Sequence, residues 1–426
     1  MKTISRSVLL ASLLFLAACQ STTQFNKDQF NKDSQEIPST LPAVSALGDE
    51  LVRDKKFAGA SFAVIKDGRW VHYSAHGVYG IDNPKPIAEN TLFRIFSMTK
   101  PITAVAAMML YEEGKFALDD PVAKYLPQFA SMRVLNDDGV EAPAKNPITI
   151  RQLLTHSAGF TYGFAPDSPT DILYQQARLF ESATLDQFID KLVALPLRFE
   201  PGTRYRYSVS IDVVGKLVEQ LSGQDLNTFF VDRIFNPLNM SDTFFEIPAD
   251  KMHRLASDQY WNPETGQIEL MPVEYARNFA EVGLYMGGGG LVSTLGDYVR
   301  FCQMILNGGE LDGARLLQPD TVTLMLSDHL APEVRSAGGP YPDINIYDGQ
   351  SMGLGFAVIY DESQLPEEYV QNEVSWGGLA GTQFWINPAA NTAGVAMVQL
   401  ARQPWRFDEI FRVAAQRGLD ALEAQR

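Results

Sequence analysis

Ser97 and Lys100 stand three residues apart in Ser97-Met98-Thr99-Lys100. On a helix, residues i and i+3 bring their Cβ atoms to roughly 5–6 Å, so the lysine amine reaches the serine hydroxyl. A buried amine gives up its proton more readily than one in water. A neutral amine beside a hydroxyl is a base that turns the hydroxyl into a nucleophile. The spacing alone decides nothing: with 25 serines and 14 lysines in 426 residues, about one such match arises by chance, so its surroundings must carry it. Downstream, Thr103 to Tyr111 is apolar and rich in strong helix formers. Gly114 stands where a helix ends. The pattern predicts a helix over 97–113, with Pro101 tolerated in its first turn. Leu92 to Phe96, just upstream, reads as a strand.

Two later segments offer partners. Tyr207 follows the turn-forming Pro201-Gly202 and precedes a helix predicted from about Ser210 to Leu221. A phenol at a helix entrance, close to an ammonium, titrates below its free value and passes protons; Tyr207 also reads as a packing residue. Trp376-Gly377-Gly378 lies in a strand-like run near the end of the chain. Glycines in a strand admit a ligand or a neighbouring backbone, and an N–H there completes an oxyanion hole with that of Ser97. A bulge or tight strand packing is the alternative reading.

The elements that must position these residues come from both ends of the chain. Ala60–Ile65 and Trp70–Ala75 flank Asp67-Gly68, a hairpin signal. Runs at 373–376, 382–386 and 392–399 suggest an antiparallel meander, and 408–423 a closing helix with Asp408 as its N-cap. Between about 97 and 285 the pattern is mainly helical. The expected organisation is an α/β domain from 41–96 and 286–426, with a helical domain, 97–285, inserted. Before it, Lys2 and Arg6, then apolar Val8–Leu16, read as a secretory signal over 1–18. Leu16-Ala17-Ala18-Cys19 resembles the bacterial lipobox, which implies a lipid on Cys19. Gln20 after it resembles the pattern sorted to the outer membrane, with the enzyme facing the periplasm. Residues 19–40 carry the duplicated Gln-Phe-Asn-Lys-Asp of 24–33 and read as a flexible tether.

Composition bounds the rest. Lys+Arg total 35 against 51 Asp+Glu, a net charge of −16, which repels phosphate backbones and argues against nucleic-acid partners. Two cysteines and five scattered histidines give neither a disulfide scaffold nor a metal-ligand spacing. No metal and no cofactor are expected. His156 reads as a loop residue with a structural hydrogen bond. No G-x-S-x-G occurs, so a nucleophile elbow is absent.

Taken together with Leu118–Pro121, Ile150–Gly159, Pro201–Thr203 and Gly288–Thr294, these motifs resemble the serine β-lactamase and penicillin-binding-protein-like superfamily. Within it, the chain most resembles the family VIII carboxylesterases, which look like class C β-lactamases, over about residues 45–420. The resemblance implies an α+β fold of the β-lactamase/transpeptidase type, an antiparallel sheet flanked by helices with an inserted helical domain. It implies Ser97 as nucleophile, Lys100 as its base, and Tyr207 as second proton carrier. Trp376, Gly377, Gly378 and Leu379 fall to substrate and oxyanion contacts. Where penicillin-recognising relatives carry Tyr-x-Asn, this chain has Val209 in the third place; where they carry Lys-Thr-Gly, it has Trp376-Gly377-Gly378. Losing that lysine removes a cation for a substrate carboxylate, and the indole adds apolar surface. The implied activity is hydrolysis of short- to medium-chain acyl esters. A β-lactamase or D-Ala-type peptidase, and a non-catalytic binding protein of the cell envelope, are the alternatives.

Overall fold

A computed structural model describes residues 41–136, 138–272, 277–336 and 349–424. The signal segment, Cys19 and the tether lie outside the described residues. Strand β1 (Gly59–Lys66) and β2 (Arg69–Gly80) meet at Asp67-Gly68, whose φ values of 51° and 72° are both left-handed, as a two-residue type I′ hairpin requires. β3 (Asn83–Pro86) extends the pair. The other strands come from the far end: β4 (Gln350–Met352), β5 (Ala357–Ile359), β6 (Val374–Gly377), β7 (Gln383–Asn387) and β8 (Thr392–Val398). They form one antiparallel sheet in the order β4-β5-β6-β7-β8-β1-β2-β3. The first and last thirds of the chain are thus joined where β1 pairs with β8, Phe62 opposite Ala396.

β1 is buried on both faces, and its two-residue period sorts its side chains between two cores. Phe62 and Val64 enter a layer with helix α1 (Pro42–Arg53) and the C-terminal helix Phe407–Glu423. Ala63 and Ile65 enter the larger core, with helices α2 (Thr99–Glu112), α3 (Ser210–Ser222) and α4 (Leu295–Leu306). The fold is α+β, a large antiparallel sheet with flanking helices. No helix among the described residues is long and apolar enough to cross a membrane.

Local expectations needed adjusting. The helix predicted over 97–113 begins as a 3-10 turn, Phe96–Met98, and becomes α-helical only at Thr99. Of the strand expected over 92–96, Phe93–Arg94 pairs with Val292–Ser293 as a short strand, and Leu92 makes an isolated parallel bridge to Leu255. Asp408 is not an N-cap: the closing helix starts at Phe407, and Arg406 gives no side-chain cap. The middle region also holds two hairpins, Arg133–Leu135 with Glu141–Pro143 and Gln259–Asn262 with Gln267–Leu270. All four strands are short and partly exposed, so their patterning is weak.

Candidate active site

Ser97 lies in the 3-10 turn, partly exposed, one residue after a strained backbone position. Phe96 has φ 42°, a left-handed conformation that costs a non-glycine residue about 1–3 kcal/mol. The turn is held from both sides: Ile95 N–H donates to Leu291 O (3.1 Å), and Tyr298 OH donates to Met98 O (2.9 Å).

Lys100, in the first turn of α2, is buried. Its Nζ donates to Ser97 Oγ (3.0 Å) and to the Gly288 carbonyl (2.5 Å). Burial pushes the amine down to about 7, against the opposing pull of the Asp212 charge. A lysine near neutrality holds its lone pair part of the time. In that form the same 3.0 Å contact is short enough for a proton to pass from Ser97 Oγ to the nitrogen.

Tyr207 sits two residues before Val209, the N-cap residue of α3, and its OH donates to Ser97 Oγ at 2.5 Å. The expectation that a neighbouring ammonium lowers this phenol is overturned. Burial outweighs the hydrogen bonds shared with Ser97 and Tyr162 and pushes it up. At neutral pH Tyr207 is therefore a donor, not a phenolate.

Trp376, on β6, is 4% exposed. Its indole lies flat against the His156 ring, 6.2 Å between centroids and 9° between planes, and 5.7 Å from the Tyr207 ring. His156 also meets Tyr207 edge-on at 5.0 Å, and its Nδ1 is 3.3 Å from Ser208 Oγ. Burial drives the imidazole well below its usual range, so it packs as a neutral ring. Val209 is wholly buried and lends the site no polar atom.

The segment after Trp376 runs against the turn that carries Ser97. A Cβ on Gly378 would come within 2.4 Å of the Ile95 carbonyl oxygen and 2.2 Å of Thr382 Oγ1, so only glycine permits the approach. The expected oxyanion donors are now distinguished. Gly378 N–H is spent on the Thr382 carbonyl (2.6 Å), and Gly377 pairs with Gln383 in the ladder. Ser97 N–H and Leu379 N–H have no acceptor among the described residues. They form the pair suited to a developing oxyanion.

Sequence reasoning missed Asp212 and Tyr162. Asp212, in the first turn of α3, is buried, and its Oδ1 accepts the Gly288 N–H (2.9 Å). Lys100 binds the carbonyl of the same residue, so one peptide segment joins acid and amine. A Cβ on Gly288 would lie 2.4 Å from Asp212 Oδ2. Burial raises the Asp212 carboxyl, while Lys100 and Arg277 pull it down. A faint signal was present: Asp212 is the lone acid in Val209–Val214, where Ser210 is the other polar residue. Tyr162 lies 5.0 Å from the Tyr207 ring, and Lys100 Nζ is 5.4 Å from its centroid.

Ser97 and Lys100 are thus joined by a tyrosine from a second helix entrance and faced by a sheet strand. The Beta-lactamase family profile matches residues 44–418. The chain belongs to the Beta-lactamase family. Protein Rv1367c of Mycobacterium tuberculosis is 32% identical over 359 residues, 80% of this chain and 86% of that protein. Esterase EstB of Burkholderia gladioli is 28% identical, over 87% and 93% of the two chains. Among solved structures, EstCE1, described as a hydrolase with promiscuous acyltransferase activity, superposes with a TM-score of 0.74 at 26% identity, covering 89% of this chain and 98% of its own.

Proposed function

We propose that this member of the Beta-lactamase family is a serine esterase that hydrolyses acyl esters through an acyl-enzyme on Ser97. The observation that carries this is the double contact on Ser97 Oγ, with Lys100 Nζ at 3.0 Å and Tyr207 OH at 2.5 Å. Ser97 Oγ attacks the ester carbonyl and passes its proton to neutral Lys100. Ser97 N–H and Leu379 N–H hold the oxyanion. The C–O bond to the alcohol breaks as Tyr207 protonates the leaving oxygen, and Lys100 returns a proton to Tyr207. Water then adds to the acyl carbonyl, gives its proton to the same amine, and releases the acid with Ser97 restored.

Neutral esters suit the walls of this site. Tyr162, Tyr207 and Trp376 face it with rings, and the cation of the constellation, Lys100, is committed to Ser97 and Gly288. The esterase name of EstB and the hydrolase description of EstCE1 support the same reading. A missing charge-assisted hydrogen bond weakens binding of an anionic substrate by about 10- to 150-fold. Purified protein should therefore turn over p-nitrophenyl butyrate with a kcat/KM about 100-fold above that for nitrocefin. A ratio in favour of nitrocefin would make the protein a β-lactamase instead.

We propose further that the enzyme belongs to the bacterial cell envelope, anchored by lipid on Cys19 and sorted to the outer membrane; the lipobox-like Leu16–Cys19 and the Gln20 after it support this. Expressed with its own leader, the wild type should fractionate with membranes and carry lipid mass. Cys19→Ser should give soluble enzyme or unprocessed precursor. A wild type recovered as soluble protein without lipid would end the anchoring proposal.

A further inference from the structure

Two phenylalanines stand exposed beside the site. Phe164 is 54% exposed and Phe180 is 47% exposed. Both stack on one residue: Phe164 on Tyr162 at 5.2 Å and 20° between planes, Phe180 on Tyr162 at 6.0 Å and 21°. Tyr162 in turn lies 5.0 Å from Tyr207, whose hydroxyl touches the nucleophile. An unbroken series of rings thus runs from Ser97 to the surface. Leu379, which follows the oxyanion strand, is also exposed.

These rings are held by backbone and buried polar groups. On one side of Phe164, the Gly163 carbonyl accepts from Gln175 Nε2 (2.6 Å); on the other, Ala165 N–H donates to Asp171 Oδ1 (3.0 Å). Asp171 is buried and is itself fixed by Thr161 Oγ1 (2.8 Å) and by ion pairs to Arg198 (2.5 Å) and Arg206 (3.3 Å). Phe180 sits in the short turn Leu179–Glu181 and leans on buried Phe188 at 5.7 Å. The chain enters that turn through Arg178 at φ 48°. Scattered exposed hydrophobics need no explanation, but a fixed apolar patch continuous with a reactive group does. Sites for small molecules are apolar surfaces with a few convergent polar groups, which describes this arrangement.

Building on the esterase reading above, we propose that Tyr162, Phe164 and Phe180 form an aromatic shelf that binds the apolar portion of the ester, an alkyl chain or an aryl ring, while its carbonyl sits at Ser97. The shelf selects esters whose apolar group extends past Tyr207 over acetates of small alcohols.

The test compares wild type with the double variant Phe164→Ala/Phe180→Ala on two substrate pairs. p-Nitrophenyl octanoate against acetate reads the acyl end. Octyl acetate against ethyl acetate reads the alcohol end. Removing apolar contact in a pocket costs on the order of 10-fold or more in kcat/KM. The long-to-short ratio should fall roughly 10-fold in at least one pair, chiefly through KM, and the pair affected tells which end of the ester lies on the shelf. Ratios that stay within about twofold of wild type in both pairs would overturn the proposal. Wild-type protein that hydrolyses none of the four esters would instead remove the esterase reading, and the shelf with it. If the double variant melts well below wild type, the single changes Phe164→Ser and Phe180→Ser are scored by the same ratios.

Discussion

Ser97→Ala is expected to lower kcat for p-nitrophenyl butyrate by about 10⁵-fold or more, the scale seen when a covalent nucleophile is lost from an intact constellation. The variant should also fail to label with a fluorophosphonate, because no oxygen remains to form the bond. The fold should survive. Ser97 is partly exposed, and its backbone turn is held by Ile95, Leu291, Met98 and Tyr298 rather than by its own hydroxyl. Lys100 keeps its bond to the Gly288 carbonyl, so no buried cation is stranded. What the variant loses is the acceptor shared by Lys100 and Tyr207. A melting temperature within a few degrees of wild type, with activity gone, separates chemistry from folding. Residual kcat near wild type, or probe labelling of the variant, would move the nucleophile elsewhere.

How far the site could be read in the sequence depended on how local its geometry is. Ser97 and Lys100 are joined by one turn, so once the apolar run after them marks a helix start, their spacing predicts the contact that the structure shows at 3.0 Å. Tyr207 is 110 residues away, and only its motif and its place before a helix marked it. Asp212 stood out only as an acid in a mostly apolar stretch, and its partner is also far away in the sequence. A carboxylate is expected to face water, and nothing in Ile211-Asp212-Val213 announces that it meets a peptide N–H from residue 288. Tyr162 and Phe164 lie in a loop between Gly159 and the helix Pro169–Ala177, where no periodicity applies. The sheet was largely legible, because the apolar strand-like runs and turn signals at both ends of the chain are strong. Pairing β1 with β8 follows once the helical middle is set aside. The hydrogen-bond state of individual N–H groups was not legible. Gly378 and Leu379 differ only in that the Thr382 carbonyl turns back to take one of them.

Lys100 should show its role twice, in rate and in pH dependence. Lys100→Ala should reduce kcat by about 10²- to 10⁴-fold, the range for a positioned proton-transfer group. In wild type, the neutral amine is the working form, and burial has brought it down to about 7. Protonation below that point removes the base, so kcat/KM should rise through pH 7 and level off above it. The neighbouring groups do not supply the same limb. Burial has moved Tyr207 up and His156 well down from their usual ranges, so neither changes charge there. Asp212 should set the position of the limb through its charge. Its negative charge favours the ammonium form of Lys100, so its removal should let the amine lose its proton more easily. Asp212→Asn keeps an oxygen for the Gly288 N–H, and hence the peptide that holds Lys100. The acid limb of kcat/KM should then move to lower pH, with activity at pH 9 less affected than in Lys100→Ala. A limb that stays in place would show that Asp212 holds Gly288 and nothing more. A limb that persists in Lys100→Ala would take the base away from Lys100, since the group titrating near neutrality would then be some other residue.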